Sequence, residues 1–205
     1  MSELLAKVES YYSSRFAEHG PSARGVDWNG ADSQELRFTK LLEIAQSTSR
    51  FSLNDYGCGY GALVEFLTRS GIEARYTGFD LSPAMIEHAR ASFPHARFLN
   101  DKAELTPAEY TVASGIFNVR LDIPTDAWQE YVLGTLAELD AASRRGFAFN
   151  MLTTYSDADR MRDNLYYGDP AFFFDYCKRR YARNVALLHD YGLYEFTVLV
   201  RKDVE

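Results

Sequence analysis

The residues best suited to chemistry stand in one stretch of this 205-residue chain, NDYGCGYGAL at positions 54–63. Gly57, Gly59 and Gly61 fall between a short apolar strand pattern and a helix pattern. A turn there needs positive φ or close ligand approach, and glycine allows both at little cost. Gly57, Gly59 and Ala62 also satisfy the dinucleotide pattern Gly-x-Gly-x-x-Ala, which sets a pyrophosphate on a helix N-terminus. Cys58 lies within the same turn and is expected to contact the bound cofactor with it. Two acids flank it. Asp80 closes the next strand pattern, about 20 residues on, where a carboxylate takes both ribose hydroxyls of an adenosine. Asp55 sits two residues before Gly57, where it would repel a pyrophosphate but suits a ligand bearing an ammonium and a sulfonium. Both cofactor classes would use Asp80; only the cationic one also explains Asp55.

The elements around this turn follow from periodicity. Residues 1–19 carry Leu4, Leu5, Val8, Tyr11, Tyr12 and Phe16 at helical spacing, and a second helix starts near Ser33 with Leu36, Leu41, Leu42 and Ile44 as its stripe. From Phe51 the pattern alternates. Strands are expected at SLNDYG, ARYTGFDL, ARFLN, EYTVASGIFN and RGFAFNMLT, with helices between them. One of those helices opens with Ser82 as N-cap and Pro83 in its first turn. NVALLHDY and YEFTVLVRK, joined tightly through Gly192, are expected as antiparallel neighbours. Such alternation predicts an α/β fold: a doubly wound, seven-stranded, mostly parallel sheet with an antiparallel C-terminal hairpin and helices on both faces. Ligands then sit at the carboxyl ends of the strands.

NDYGCGYGAL together with YTGFDLSPAMIEHAR (residues 76–90) resembles the first two motifs of the class I S-adenosylmethionine-dependent methyltransferases. The resemblance covers about Phe51 to Thr153. It implies that Asp55, Gly57 and Gly59 line the methionine end of S-adenosylmethionine and that Asp80 holds its ribose. It further implies that Leu81 and Met85 pack on the adenine, and that Asp101 accepts from the adenine amino group. Ser114 and Gly115 would face the sulfonium and the methyl acceptor, and the product would be S-adenosylhomocysteine. Asn54 departs from the family's usual aliphatic residue. Ahead of the core, where the family builds its lid, Arg37 is expected to take the methionine carboxylate as a bidentate partner. Gln34 stands near it, and Trp28 is expected to cover the cofactor. The implied organisation is one domain over 1–205: a helical lid at 1–50, a cofactor core at 51–153 and an acceptor-side segment at 154–205.

On the acceptor side, the end of the fourth strand pattern reads SGIFN and lacks the Asn/Asp-Pro-Pro-aromatic motif of the family's base N-methyltransferases. There is also no Pro-Cys nucleophile for pyrimidine chemistry. The net charge of −7 argues further against a nucleic-acid substrate. A small-molecule acceptor methylated on oxygen or nitrogen is the expectation. The rivals are a nicotinamide-dependent oxidoreductase, a protein methyltransferase and a non-catalytic cofactor-binding module. Polar residues gather toward the C-terminus: Asn118, Asn150, Tyr155, Tyr166, Tyr167, Asp169, His189, Asp190 and Tyr191. His189 is the candidate base, because histidine is the side chain suited to proton transfer near neutral pH, and Tyr166 is a second catalytic candidate.

With 46% hydrophobic and 15% aromatic residues the chain can build a large core. Its two cysteines, Cys58 and Cys177, show no metal-binding spacing, so no metal is expected, and a reducing cytoplasm is the expected home. Neither a signal peptide nor an apolar run long enough for a bilayer is visible, so no membrane partner is expected.

Overall fold

The computed structural model describes residues 3–26, 30–45 and 49–203. Among them, seven strands form one sheet: β1 Arg50–Tyr56, β2 Glu73–Phe79, β3 Arg97–Leu99, β4 Ala108–Ala113, β5 Ser143–Leu152, β6 Asn184–Leu188 and β7 Glu195–Arg201. Their order is β3-β2-β1-β4-β5-β7-β6. The first five strands pair in parallel, while β7 runs antiparallel to both β5 and β6. The doubly wound sheet read from the sequence is therefore present, with β7 inserted between β5 and its hairpin partner. Strand order reverses between β1 and β4, and a ligand crevice forms at such a switch point.

The α-helices that cover the sheet are α1 Glu3–His19, α2 Ala31–Leu42, α3 Ala62–Arg69, α4 Pro83–Ser92, α5 Thr125–Ala141 and α6 Pro170–Arg180. Strand alternation sorts them into two layers. Phe147, Phe149 and Met151 of β5, with Phe196, Val198 and Val200 of β7, pack on Trp128, Val132, Leu136 and Leu139 of α5 and on Phe173 and Cys177 of α6. The intervening residues Ala148 and Leu199 face the other way, joining Leu53, Tyr110 and Val112 beneath α2, α3 and α4. Each large side chain buried this way contributes about 1.5–3 kcal/mol.

Several boundaries move from their sequence-based positions. β4 stops at Ala113, so Ser114 to Asn118 form a turn instead of strand. β6 stops at Leu188, leaving His189 outside the sheet. Between β3 and β4 the chain makes only a short 3-10 turn, Lys102–Glu104. Asn54, the departure from the family pattern, is buried, and its amide donates to the carbonyls of Thr106 at 3.0 Å and Ala142 at 3.3 Å. It ties the ends of two loops together on the far side from the glycine turn. No helix among the described residues is long and apolar enough to cross a membrane.

Candidate functional site

A cleft of about 890 Å³, counted out to its open mouth, lies at the carboxyl ends of β1, β2 and β4. From the β1 turn it is lined by Asp55, Gly57, Cys58 and Gly59; from the end of β2 by Asp80 and Leu81; from α4 by Met85; from the β4 turn by Ser114, Gly115 and Ile116. α1 adds Val8, Glu9 and Tyr12, α2 adds Gln34 and Phe38, and α5 adds Tyr131.

The glycine turn is built for close approach. Gly57 has φ +83°, and a Cβ there would stand 2.3 Å from Cγ2 of Ile116. Its amide and that of Cys58 donate to the Phe79 carbonyl at 2.7 and 3.0 Å, tying the turn to the end of β2. Asp80 completes that link. One carboxylate oxygen accepts from the Gly59 amide at 2.8 Å and the other from the Ser82 amide at 2.9 Å. Asn100 donates to the carbonyls of Asp80 and Leu81 at 2.8 and 3.0 Å, which fixes the backbone on the other side.

Burial governs the electrostatics. Asp55 is 3% exposed and accepts from the Tyr76 hydroxyl at 2.7 Å. Desolvation pushes its carboxyl up to about 7, and the charge of Asp80 adds to the rise against the Tyr76 hydrogen bond. Asp80 is also raised, first by burial, with its amide partners opposing and Glu9 contributing. The Cys58 thiol is pushed up by burial and by both aspartates, so it stays protonated and is no nucleophile. Ser114 offers a different signal. Its Oγ is buried with no hydrogen-bond partner among the described residues. The cleft lining fits a ligand with a cationic amino-acid end and an adenosine: two carboxylates, Asp55 and Asp80, and a glycine turn that admits close contact.

Four expected site residues do not line the cleft. Arg37 turns to Glu195, donating from Nε to Oε2 at 2.7 Å and from a terminal nitrogen to Oε1 at 2.5 Å. The bidentate carboxylate partner of Arg37 in this structure is the protein's own Glu195. Asp101 is exposed and accepts from the Ala103 amide at 2.9 Å, so it caps the turn after β3. His189 is exposed beyond the edge strand β6, with its ring 5.8 Å from that of Tyr155. Three strand spacings separate it from β4. Tyr166 is buried under α5 and donates to Gln129 at 3.2 Å, with desolvation pushing its hydroxyl up to about 12. Neither catalytic candidate reaches the cleft. Trp28 lies outside the described residues.

The cleft also holds residues that the sequence does not single out. Glu9 accepts from the Ser13 hydroxyl at 2.6 Å, and Ser13 shares a 2.7 Å hydrogen bond with Ser82, the N-cap of α4. Phe16 stacks on Tyr60, with ring centroids 6.5 Å apart. These contacts press α1 against the glycine turn and the head of α4. Their trace in the sequence is the apolar stripe of α1, which reads equally as a helix packed on the core.

Residues 54–142 match the family model described as a methyltransferase domain. A Mycobacterium tuberculosis protein named as a methyltransferase is 54% identical over 164 residues, spanning 78% of this chain and 99% of its own length. A trans-aconitate 2-methyltransferase of an Enterobacter species is 32% identical over 93 residues, 42% of this chain and 37% of that protein. Among solved structures, magnesium protoporphyrin IX methyltransferase from Synechocystis, with bound S-adenosylhomocysteine, superposes with a TM-score of 0.67 at 13% identity. That match covers 97% of this chain and 99% of the other, a likeness of fold. With the motifs, the sheet order and the near full-length relative in agreement, the chain belongs to the class I S-adenosylmethionine-dependent methyltransferases, enzymes whose methyl donor is S-adenosylmethionine.

Proposed function

We propose that this enzyme methylates an oxygen or nitrogen of a small-molecule acceptor. The observation that supports this is the make-up of the cleft wall. Its charged side chains among the described residues are Glu9, Asp55 and Asp80, all acidic, and the remainder is rich in rings, including Tyr12, Phe38, Tyr56 and Tyr131. A neutral or cationic ring system would find aromatic faces and compensating charge.

In this reading Asp55, Gly57 and Gly59 hold the methionine end of the donor, Asp80 holds the ribose, and Leu81 and Met85 pack on the adenine. When bound, S-adenosylmethionine supplies a methyl carbon that bonds to the acceptor's lone pair as the carbon–sulfur bond breaks toward sulfur, while the acceptor's proton leaves to solvent. The chain's own contribution is alignment and exclusion of water. Ser114 and Gly115 set the floor of the cleft, while Val8 and Tyr12 of α1 enclose it. The acidic balance of the chain supports a small molecule over nucleic acid.

Calorimetry with S-adenosylmethionine, S-adenosylhomocysteine and NAD tests the donor half, and binding of NAD alone would reject it. Asp80→Ala should weaken S-adenosylhomocysteine binding at least tenfold, about 1.4 kcal/mol, by removing charge-assisted ribose bonds. For the acceptor half, labelled methyl should pass to a small neutral or cationic aromatic compound; transfer to nucleic acid or protein alone would overturn the reading.

A further inference from the structure

We propose that Arg37, Glu195 and Asn150 form a buried positioning relay that sets the cofactor-facing β4 turn from outside the cleft. The inference rests on the cofactor reading above. Arg37 is 5% exposed, Glu195 2% and Asn150 fully buried. The guanidinium of Arg37 takes both oxygens of Glu195. Glu195 Oε2 also accepts from the Asn150 side-chain amide at 2.9 Å, and Asn150 Oδ1 accepts from the Gly115 backbone N–H at 2.7 Å. The chain of bonds thus starts on α2, crosses β7 and β5, and ends on a backbone amide of the cleft wall.

Strand geometry explains how three distant residues meet. Leu152 pairs with Glu195 and Asn150 with Thr197 in the β5–β7 register. Alternation turns Asn150 and Glu195 to the same face as Ala148 and Leu199, the face on which α2 lies. Arg37 reaches down from that helix, and its neighbours Gln34 and Phe38 line the cleft. One carboxylate therefore references two walls, the α2 wall and the β4 turn.

The relay is poorly explained as a stabilising device. Burying an ion pair costs desolvation that the pair's attraction scarcely exceeds, and apolar replacements of similar volume are often as stable. Its use lies in orientation. An asparagine amide can face either way; Glu195 accepts from its nitrogen, which leaves its oxygen toward Gly115. Gly115 has φ +72° and stands between Ser114, with its unmatched hydroxyl, and Ile116, which abuts Gly57. A turn with positive φ has few other constraints, so a fixed acceptor for its amide decides where Ser114 points. Arg37, Glu195 and Asn150 are accordingly positioning residues and not catalytic ones.

The test compares two double variants of the whole chain, R37M/E195M and R37M/E195Q. The first replaces the pair with apolar side chains of similar length; in the second, the glutamine oxygen can again accept from Asn150. Thermal midpoint, hydrogen exchange of the peptide covering residues 113–118 and calorimetric affinity for S-adenosylhomocysteine are read for each. R37M/E195M should remain folded yet bind about tenfold more weakly and exchange faster at 114–116, and R37M/E195Q should recover to within about threefold of the parent. Parent-like affinity and exchange in R37M/E195M would overturn the relay. Should that variant not fold, Asn150→Ala, which leaves the ion pair intact, decides by the same two readings. Exchange of the ligand-free protein tests the relay by itself, whereas absence of S-adenosylhomocysteine binding by the parent chain would strike the cofactor reading instead.

Discussion

The Tyr76 hydroxyl donates to Asp55 at 2.7 Å beneath the glycine turn, and this is the hydrogen bond that moderates a carboxyl otherwise raised by burial. With Asp55 raised to about 7, the folded chain holds a proton that the unfolded chain has released above its usual carboxyl pKa near 3.8. Stability therefore falls as pH rises from about 4 to about 7 and levels off above that. A rise of that size sets an upper bound of about 4 kcal/mol on the effect. Thermal melts of ligand-free parent and Asp55→Asn between pH 5 and 8 measure it. The parent should lose stability relative to the variant across that range, and parallel curves would return Asp55 to an ordinary carboxylate.

Ser114→Ala removes a buried hydroxyl that has no partner among the described residues. Its stability should hold or rise by up to about 1 kcal/mol, since a desolvation cost disappears. Affinity for S-adenosylhomocysteine should fall several-fold. A drop in stability without a change in affinity would mean that the hydroxyl serves the fold.

Gly57→Ala combines two penalties, a left-handed φ of +83° and a Cβ 2.3 Å from Ile116 Cγ2. The expected loss is about 2–4 kcal/mol in urea unfolding. Adding Ile116→Ala should relieve the steric part and leave the conformational part, so the two substitutions should be non-additive. Simple additivity would show that the turn shifts to absorb the methyl group.

His189→Ala should leave both the thermal midpoint and S-adenosylhomocysteine affinity close to the parent, within about twofold for binding. The ring is exposed beyond β6, against Tyr155. A large fall in affinity would mean that the β6–β7 turn folds over the cleft when ligand binds.

Much of the lining of the cleft is legible in the sequence. Asp55, the glycine turn, Asp80, Leu81 and Met85 come from two neighbouring βα units, where sequence spacing fixes spatial spacing. Ser114 and Gly115 are reached by their place after a strand. The residues that sequence misassigns share another property: they are polar groups whose roles depend on a partner distant in the chain. Arg37 does bind a carboxylate, as its chemistry suggests, yet that carboxylate lies 158 residues away on β7. His189 follows a strand pattern that points to the ligand edge. The insertion of β7 between β5 and β6 carries that strand end away from the cleft.

Periodicity and glycine placement by themselves determined the doubly wound sheet and the acid-flanked cofactor turn. These are local properties, set by side-chain alternation, backbone freedom and the short reach between a strand and its following helix. Only the tertiary structure decided which buried polar groups satisfy one another and which are left without a protein partner. Arg37, Glu195 and Asn150 pair across α2, β7 and β5, whereas the Ser114 hydroxyl finds no protein partner among the described residues. Both outcomes follow from packing, because a hydrogen bond takes its energy from a geometry of ångströms that distance along the chain does not encode.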